Sequence, residues 1–219
     1  MGHVSHTSVS QHFINCLKTT PAGDKPYRHW LLNDMYPTDL TVALEKLPFA
    51  PSEGLDHGGR RECNNNTRMF ADAARQAQYP ELQALAQGMA APATLAAIEE
   101  TCGISLVGTY LRIEYCRDTE GFWLEPHTDI GAKRFTMLCY LSVGEGSDPC
   151  GTDILADADT FVTTAPFHLN SGVIFIPGND TWHSFRPRRI NGVRKSVMVN
   201  FVGPEWRARH ELAFENPVK

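Results

Sequence analysis

The sequence predicts an α+β fold, an antiparallel sandwich or jelly roll with N-terminal helices packed on the sheet, and three observations carry that prediction. Apolar residues in the first half recur at helical spacing. From Ile104 onward the apolar period changes to two. The second half then divides into short runs separated at brief intervals by Gly, Pro and Asp, as in sandwiches and jelly rolls.

The elements follow in order. After a polar N-terminal stretch expected to fray, Thr38 or Asp39 can cap a helix with Leu40, Ala43, Leu44 and Leu47 on one face, and Pro48 and Pro51 end it. Residues 52–66, SEGLDHGGRRECNNN, lack periodicity and read as an exposed loop able to reach over a site. A helix restarts near Thr67. Pro80 suits a first helical position ahead of Leu82, Leu85 and Met89, and Pro92 opens another helix that Gly103 can close. Eight strands are then predicted, at 104–116, 122–129, 134–143, 151–155, 160–164, 172–177, 182–186 and 193–202. There is no internal repeat.

Composition narrows the function. The 219 residues suffice for one domain with a sizeable interior. A net charge of −5 offers no basic field for nucleic acid. The N-terminus shows no charged segment followed by an apolar one, and no run reaches membrane-spanning length, so a cytoplasmic protein is expected. Gly2 does not start a myristoylation motif, because His6 stands where Ser or Thr is required. Cys16, Cys63, Cys102, Cys116, Cys139 and Cys150 form no C-x-x-C pair and read as reduced thiols.

The chemistry gathers in EPHTDIGAKRFTMLCYLS, residues 125–142. Its His-x-Asp is weak alone, since nine His and twelve Asp in 219 residues give roughly half of such a triplet by chance. On a strand, however, His127 and Asp129 share a face and can converge on one ion. FIPGNDTWHSFRP supplies a third ligand in His183. Eleven residues later the apolar strand RKSVMVNFV opens with Arg194 and Ser196 on one face. Inside a barrel that arginine needs a partner, and its fork suits a carboxylate, with the Ser196 hydroxyl as a second donor.

This set resembles the iron and 2-oxoglutarate signature of the Fe(II)/2-oxoglutarate-dependent oxygenases, most closely the prolyl-hydroxylase-like branch. Tyr115, Gly121 and Phe122 upstream, and Lys133, Thr136, Tyr140 and Leu141 downstream, add to a likeness that covers roughly residues 104–206. The resemblance implies a double-stranded β-helix, with 1–103 mainly helical, 104–206 as core and 207–219 as tail of one oxygenase domain. It implies His127, Asp129 and His183 as ligands of Fe(II), leaving positions for a bidentate 2-oxo acid and O2. It assigns Arg194 to the distal carboxylate of 2-oxoglutarate, with Ser196 and Tyr140 as helpers and Tyr115 near the oxalyl end or the metal.

The implied reaction is hydroxylation of an unactivated C–H bond, coupled to decarboxylation of 2-oxoglutarate to succinate. Asp129 favours hydroxylation over halogenation, because the related halogenases replace this carboxylate by a small residue. The extra residues WLEP before His127, and the lack of a peptide-docking signature, favour a small molecule such as an amino acid or natural-product intermediate. Lys133, Arg134, Arg112 and Arg68, with Arg60 and Arg61, are the cations that could hold an anionic substrate. Three alternatives remain: an iron oxidase working without 2-oxoglutarate by desaturation or cyclisation, a peptide or protein hydroxylase, and a metal-binding jelly-roll sensor without catalysis.

Overall fold

The computed structural model describes residues 5–51, 58–61 and 68–219. The N-terminal segment expected to fray instead forms helix α1, His6–Thr19. Ser5 caps it by accepting from the Thr7 N–H, and Val9, Phe13, Cys16 and Leu17 supply a buried face. The polar residues between them masked that stripe in the sequence. Strands β1, Ala22–Gly23, and β2, His29–Leu32, follow and were not foreseen. Helix α2, Thr38–Glu45, buries Leu40 and Leu44 as expected.

The helix expected near Thr67, itself outside the described residues, is replaced from 69 by strand β3, Met69–Phe70, and then α3, Ala73–Gln78, capped by Asp72. Of the expected loop 52–66, only 58–61 lie within the described residues. Helices α4, Pro80–Met89, and α5, Pro92–Cys102, both start on a proline, and Gly103 ends α5 in the left-handed region.

All eight predicted strands are present, most of them shorter than expected, with β4 running two residues past its expected end and β6 shifted by one: β4 Tyr110–Asp118, β5 Leu124–His127, β6 Lys133–Ser142, β7 Asp153–Leu155, β8 Phe161–Thr164, β9 Gly172–Phe175, β10 His183–Phe185 and β11 Arg194–Val202. Residues 104–109 form a turn rather than the start of β4. The strands make two antiparallel sheets, one ordered β1-β2-β9-β6-β11-β4-β3 and the other β5-β10-β7-β8.

Period-two alternation divides the large sheet between two tasks. Phe135, Met137, Cys139 and Leu141 of β6, Val197, Val199 and Phe201 of β11, and Leu111, Ile113 and Tyr115 of β4 join one core with Phe13, Leu17, Leu40, Leu85 and Ile98 of the helices. The opposite face carries Thr136, Leu138 and Tyr140, then Arg194, Ser196, Met198 and Asn200, then Arg112, Glu114 and Asp118. Asn200 lies level with both Thr136 and Arg112, and Arg194 with Asp118.

The C-terminal segment is not a loose tail. Leu212 bridges Arg112, Ala213 donates to the Leu111 carbonyl, and Val218 donates to that of Thr109. Cys16, Cys102, Cys116, Cys139 and Cys150 are buried and unbridged, while Cys63 lies outside the described residues. Among the described residues, no helix is long and apolar enough to cross a membrane.

Gly172 marks the tightest point of the large sheet, where a Cβ would sit 2.1 Å from the Leu138 carbonyl oxygen and 2.4 Å from Met35 Sδ. Backbone on a central strand cannot move aside cheaply. Gly172→Ala is therefore expected to cost at least about 2 kcal/mol, read as a lower urea midpoint with an unchanged slope.

Candidate metal centre

The first and second imidazoles meet across the small sheet. His127 at the end of β5 pairs in register with His183 at the start of β10, and their ring centroids lie 4.2 Å apart. Each Nδ1 faces a backbone carbonyl, Glu125 O at 2.7 Å and Thr181 O at 3.0 Å. These contacts place the proton on Nδ1 and leave Nε2 as the free lone pair, the form a metal requires. Burial lowers the His183 pKa to about 4, against the opposing pull of Asp129, so the ring is neutral at pH 7.

Asp129 follows two residues after His127 and is almost fully buried. Its Oδ1 accepts from the Lys133 ammonium, and its Oδ2 accepts from the Thr136 hydroxyl at 2.6 Å. Burial pushes this carboxyl up, but Lys133, His183 and these hydrogen bonds outweigh it and hold the group well below the usual carboxylate range. The three residues bring ligand atoms within 4.8 Å of one another. Two imidazoles and one carboxylate form a donor set that suits a divalent first-row metal with positions left over.

Behind the triad runs a fixed chain of hydrogen bonds. Asn200 Nδ2 donates to Thr136 Oγ1 at 3.0 Å, and Asn200 Oδ1 accepts from Arg112 Nη1 at 3.0 Å. Arg112 also reaches Glu211 Oε2 at 2.6 Å and Glu114 Oε2 at 2.8 Å, while Arg68 grips Glu114 through two further bonds. Burial pushes the Glu114 carboxyl up, yet Arg112, Arg68 and Arg61 prevail and keep it well below the usual range.

One cavity of about 270 Å³ joins these groups to Arg194; His127, Asp129, His183, Arg112, Arg68, Lys133 and Arg194 all line it. Arg194 is 2% exposed, donates from Nε to the Cys150 carbonyl and from Nη1 to Asp118 Oδ2, both at 2.7 Å, and lies 5.5 Å from the Tyr140 ring centroid. The Ser196 hydroxyl, on the same strand face, is buried with no hydrogen-bond partner among the described residues. An orphaned hydroxyl beside a buried arginine fits a carboxylate ligand.

Two sequence expectations do not match this geometry. Tyr115 points away from the cavity: it belongs to the helix-side core, where its hydroxyl donates to the Leu44 carbonyl at 2.8 Å and its ring packs on Phe49. Arg134 is also outside, paired with Glu205 and the Gly131 carbonyl at the surface. Tyr140 lies under Arg194, but its hydroxyl donates to Thr152 Oγ1 and accepts the Thr152 N–H, so Thr152, which lines the cavity, stands between Tyr140 and any ligand. Sequence reasoning missed Asp118, Glu114, Glu211, Asn200 and Thr152. Arg112 and Asn200 offered a signal, since each places a polar side chain inside an apolar strand.

No protein-family model and no curated protein match the sequence. The fold does match solved structures. A prolyl 4-hydroxylase from Phytophthora capsici aligns with a TM-score of 0.56 at 17% identity, over 91% of this chain and 64% of that one. The chain thus spans less than two thirds of that enzyme. A Trichoplax adhaerens prolyl hydroxylase, in complex with a hypoxia inducible factor peptide fragment, aligns at 0.59 and 14% identity over 90% of each chain. A Pseudomonas putida prolyl-4-hydroxylase aligns at 0.55 and 18% identity, over 95% of this chain and 99% of that one. The fold is the double-stranded β-helix of the prolyl hydroxylases, built as an α+β jelly roll with helices on its large sheet.

Two expectations follow. His183→Ala should abolish tight Fe(II) or Mn(II) uptake, while Thr136→Val, which frees one oxygen of Asp129, should weaken it by about 10-fold, both read by calorimetric titration. The depressed pKa of Glu114 means that its stabilisation is complete above the ordinary value of 4.5 and is lost as pH falls towards the folded-state value. Glu114→Gln should cost about 3 kcal/mol at pH 7 and flatten the loss of stability below pH 4.5, measured by denaturant unfolding across that range.

Proposed function

We propose that the protein is an Fe(II)- and 2-oxoglutarate-dependent dioxygenase that hydroxylates a small polar molecule. The observation that carries this reading is the His127, Asp129 and His183 cluster sharing one cavity with the buried Arg194. Bound Fe(II), with 2-oxoglutarate and O2, would supply the oxidising power to attack an unactivated C–H bond as the co-substrate leaves as succinate and CO2.

The chain's own residues divide the remaining work. His127, His183 and Asp129 would hold the metal, and their backbone and hydroxyl partners keep the donors aimed. Arg194 grips the distal carboxylate of 2-oxoglutarate, assisted by the orphaned Ser196 hydroxyl and by Thr152, which Tyr140 orients. Phe122, Leu124, Leu138 and Phe185 line the cavity and exclude water from it. Asp129 would supply the ligand where a halide would otherwise bind, which favours hydroxylation; desaturation or cyclisation would use the same centre.

Arg112, Arg68, Trp206 and Lys133 form the wall on the substrate side. A cavity of about 270 Å³ lies just under the roughly 300–1,000 Å³ of common ligand sites, and the co-substrate takes part of it. Polar groups at that wall, themselves paired with Glu114, Glu211 and Asp129, favour a small polar compound such as an amino acid over an apolar prolyl ring. The likeness in fold to a prolyl hydroxylase seen with a peptide fragment supports peptide hydroxylation as the second reading.

Under anaerobic conditions the Fe(II)-loaded protein should develop a visible charge-transfer band on addition of 2-oxoglutarate. Arg194→Ala should weaken the apparent affinity by about 10-fold or more, and His183→Ala should remove the band. In air, succinate release across a panel of amino acids, small natural-product precursors and short peptides should identify the substrate class. A wild-type protein that binds metal yet gives neither band nor succinate would show the reading to be wrong.

A further inference from the structure

We propose that Arg61 is a second binding arginine for the distal carboxylate of the co-substrate, held beside Arg194 by a shared Asp118. This rests on the 2-oxoglutarate reading above. Asp118 is 4% exposed and bridges both guanidiniums: Arg61 Nη1 and Nη2 reach its two oxygens at 2.9 and 3.2 Å, and Arg194 Nη1 reaches Oδ2 at 2.7 Å.

Two cations share one carboxylate, so the cluster carries a buried surplus of one positive charge. Such a charge is costly to bury unless an anion completes it. Both arginines line the same cavity. Among the described residues, Arg61 Nε is buried with no hydrogen-bond partner, and Arg194 Nη2 makes no hydrogen bond. With the orphaned Ser196 hydroxyl, these are donors waiting for one further acceptor group of charge −1, which is the terminal carboxylate of a dicarboxylic 2-oxo acid.

The chain holds Arg61 there by independent contacts. Its guanidinium lies 4.6 Å from the Phe122 ring centroid, the Glu125 N–H donates to the Gly59 carbonyl at 2.9 Å, and Arg60 pairs with Glu125 at 2.8 Å. Residues 58–61 are thereby fastened to β5, the strand that ends in the metal ligand His127. Asp118 is the positioning residue, since it sets the spacing of the two forks. The paired arginines would make the site selective for the number of carboxylates on the 2-oxo acid.

The test is an anaerobic titration of Fe(II)-loaded full-length protein with 2-oxoglutarate and, separately, 2-oxopentanoate, which keeps the chelating end but lacks the distal carboxylate. Arg61→Gln should weaken 2-oxoglutarate binding by about 10-fold and leave 2-oxopentanoate binding unchanged. Arg61→Lys, which keeps the charge but not the fork, should show a smaller loss with the same selectivity, and it decides the matter if Arg61→Gln does not fold. Equal weakening of both ligands would make Arg61 a structural anchor and overturn the proposal. Unchanged 2-oxoglutarate binding would also overturn it while leaving the oxygenase reading intact. A wild-type protein that binds neither acid would overturn both.

Discussion

Charge buried inside a barrel must be neutralised where it stands, and the central strand β11 imposes that demand on the whole molecule. Its alternate residues turn Val197, Val199 and Phe201 to the helices and Arg194, Ser196 and Asn200 to the opposite face, where Arg194 lines the cavity. Neighbouring strands then answer position by position: Asp118 stands level with Arg194, and Thr136 and Arg112 stand level with Asn200. The apolar face gives the fold its stability, and the polar face can be assembled only because the pairing register is fixed.

That division explains what could be read from the sequence. A long period-two run is visible in one dimension, so β4, β6 and β11 were legible; the shorter β5, β7, β8, β9 and β10 were marked out by the Gly, Pro and Asp turns between them, and the candidate ligands His127 and His183 stand at the ends of two of these. The short strands β1, β2 and β3 carry no period of their own, and pairing creates them, β1 on β2, β2 on β9 and β3 on β4. Helix α1 was hidden because polar residues surround its stripe of Val9, Phe13 and Leu17.

Tyr115 is the instructive error. Placing Arg112 inside the barrel already requires Tyr115, three residues on, to face outward, so the two expectations were incompatible on one strand. Parity alone could have removed it. The partners Asp118, Glu114 and Glu211 were missed for another reason. Asp118 lies 76 residues from Arg194, Glu114 46 from Arg68 and Glu211 99 from Arg112, and no local pattern reports a pairing made by folding.

Both oxygens of Asp129 are already committed, one to the Lys133 ammonium and the other to the Thr136 hydroxyl. A carboxylate with a tether on each oxygen resists swinging round to chelate through both at once, because doing so would sacrifice one of them. In a metal-loaded site the tethers would act on denticity: by favouring a single bond from Asp129 they would leave one more position for small exogenous ligands, an effect set by a lysine and a threonine outside the candidate ligand set.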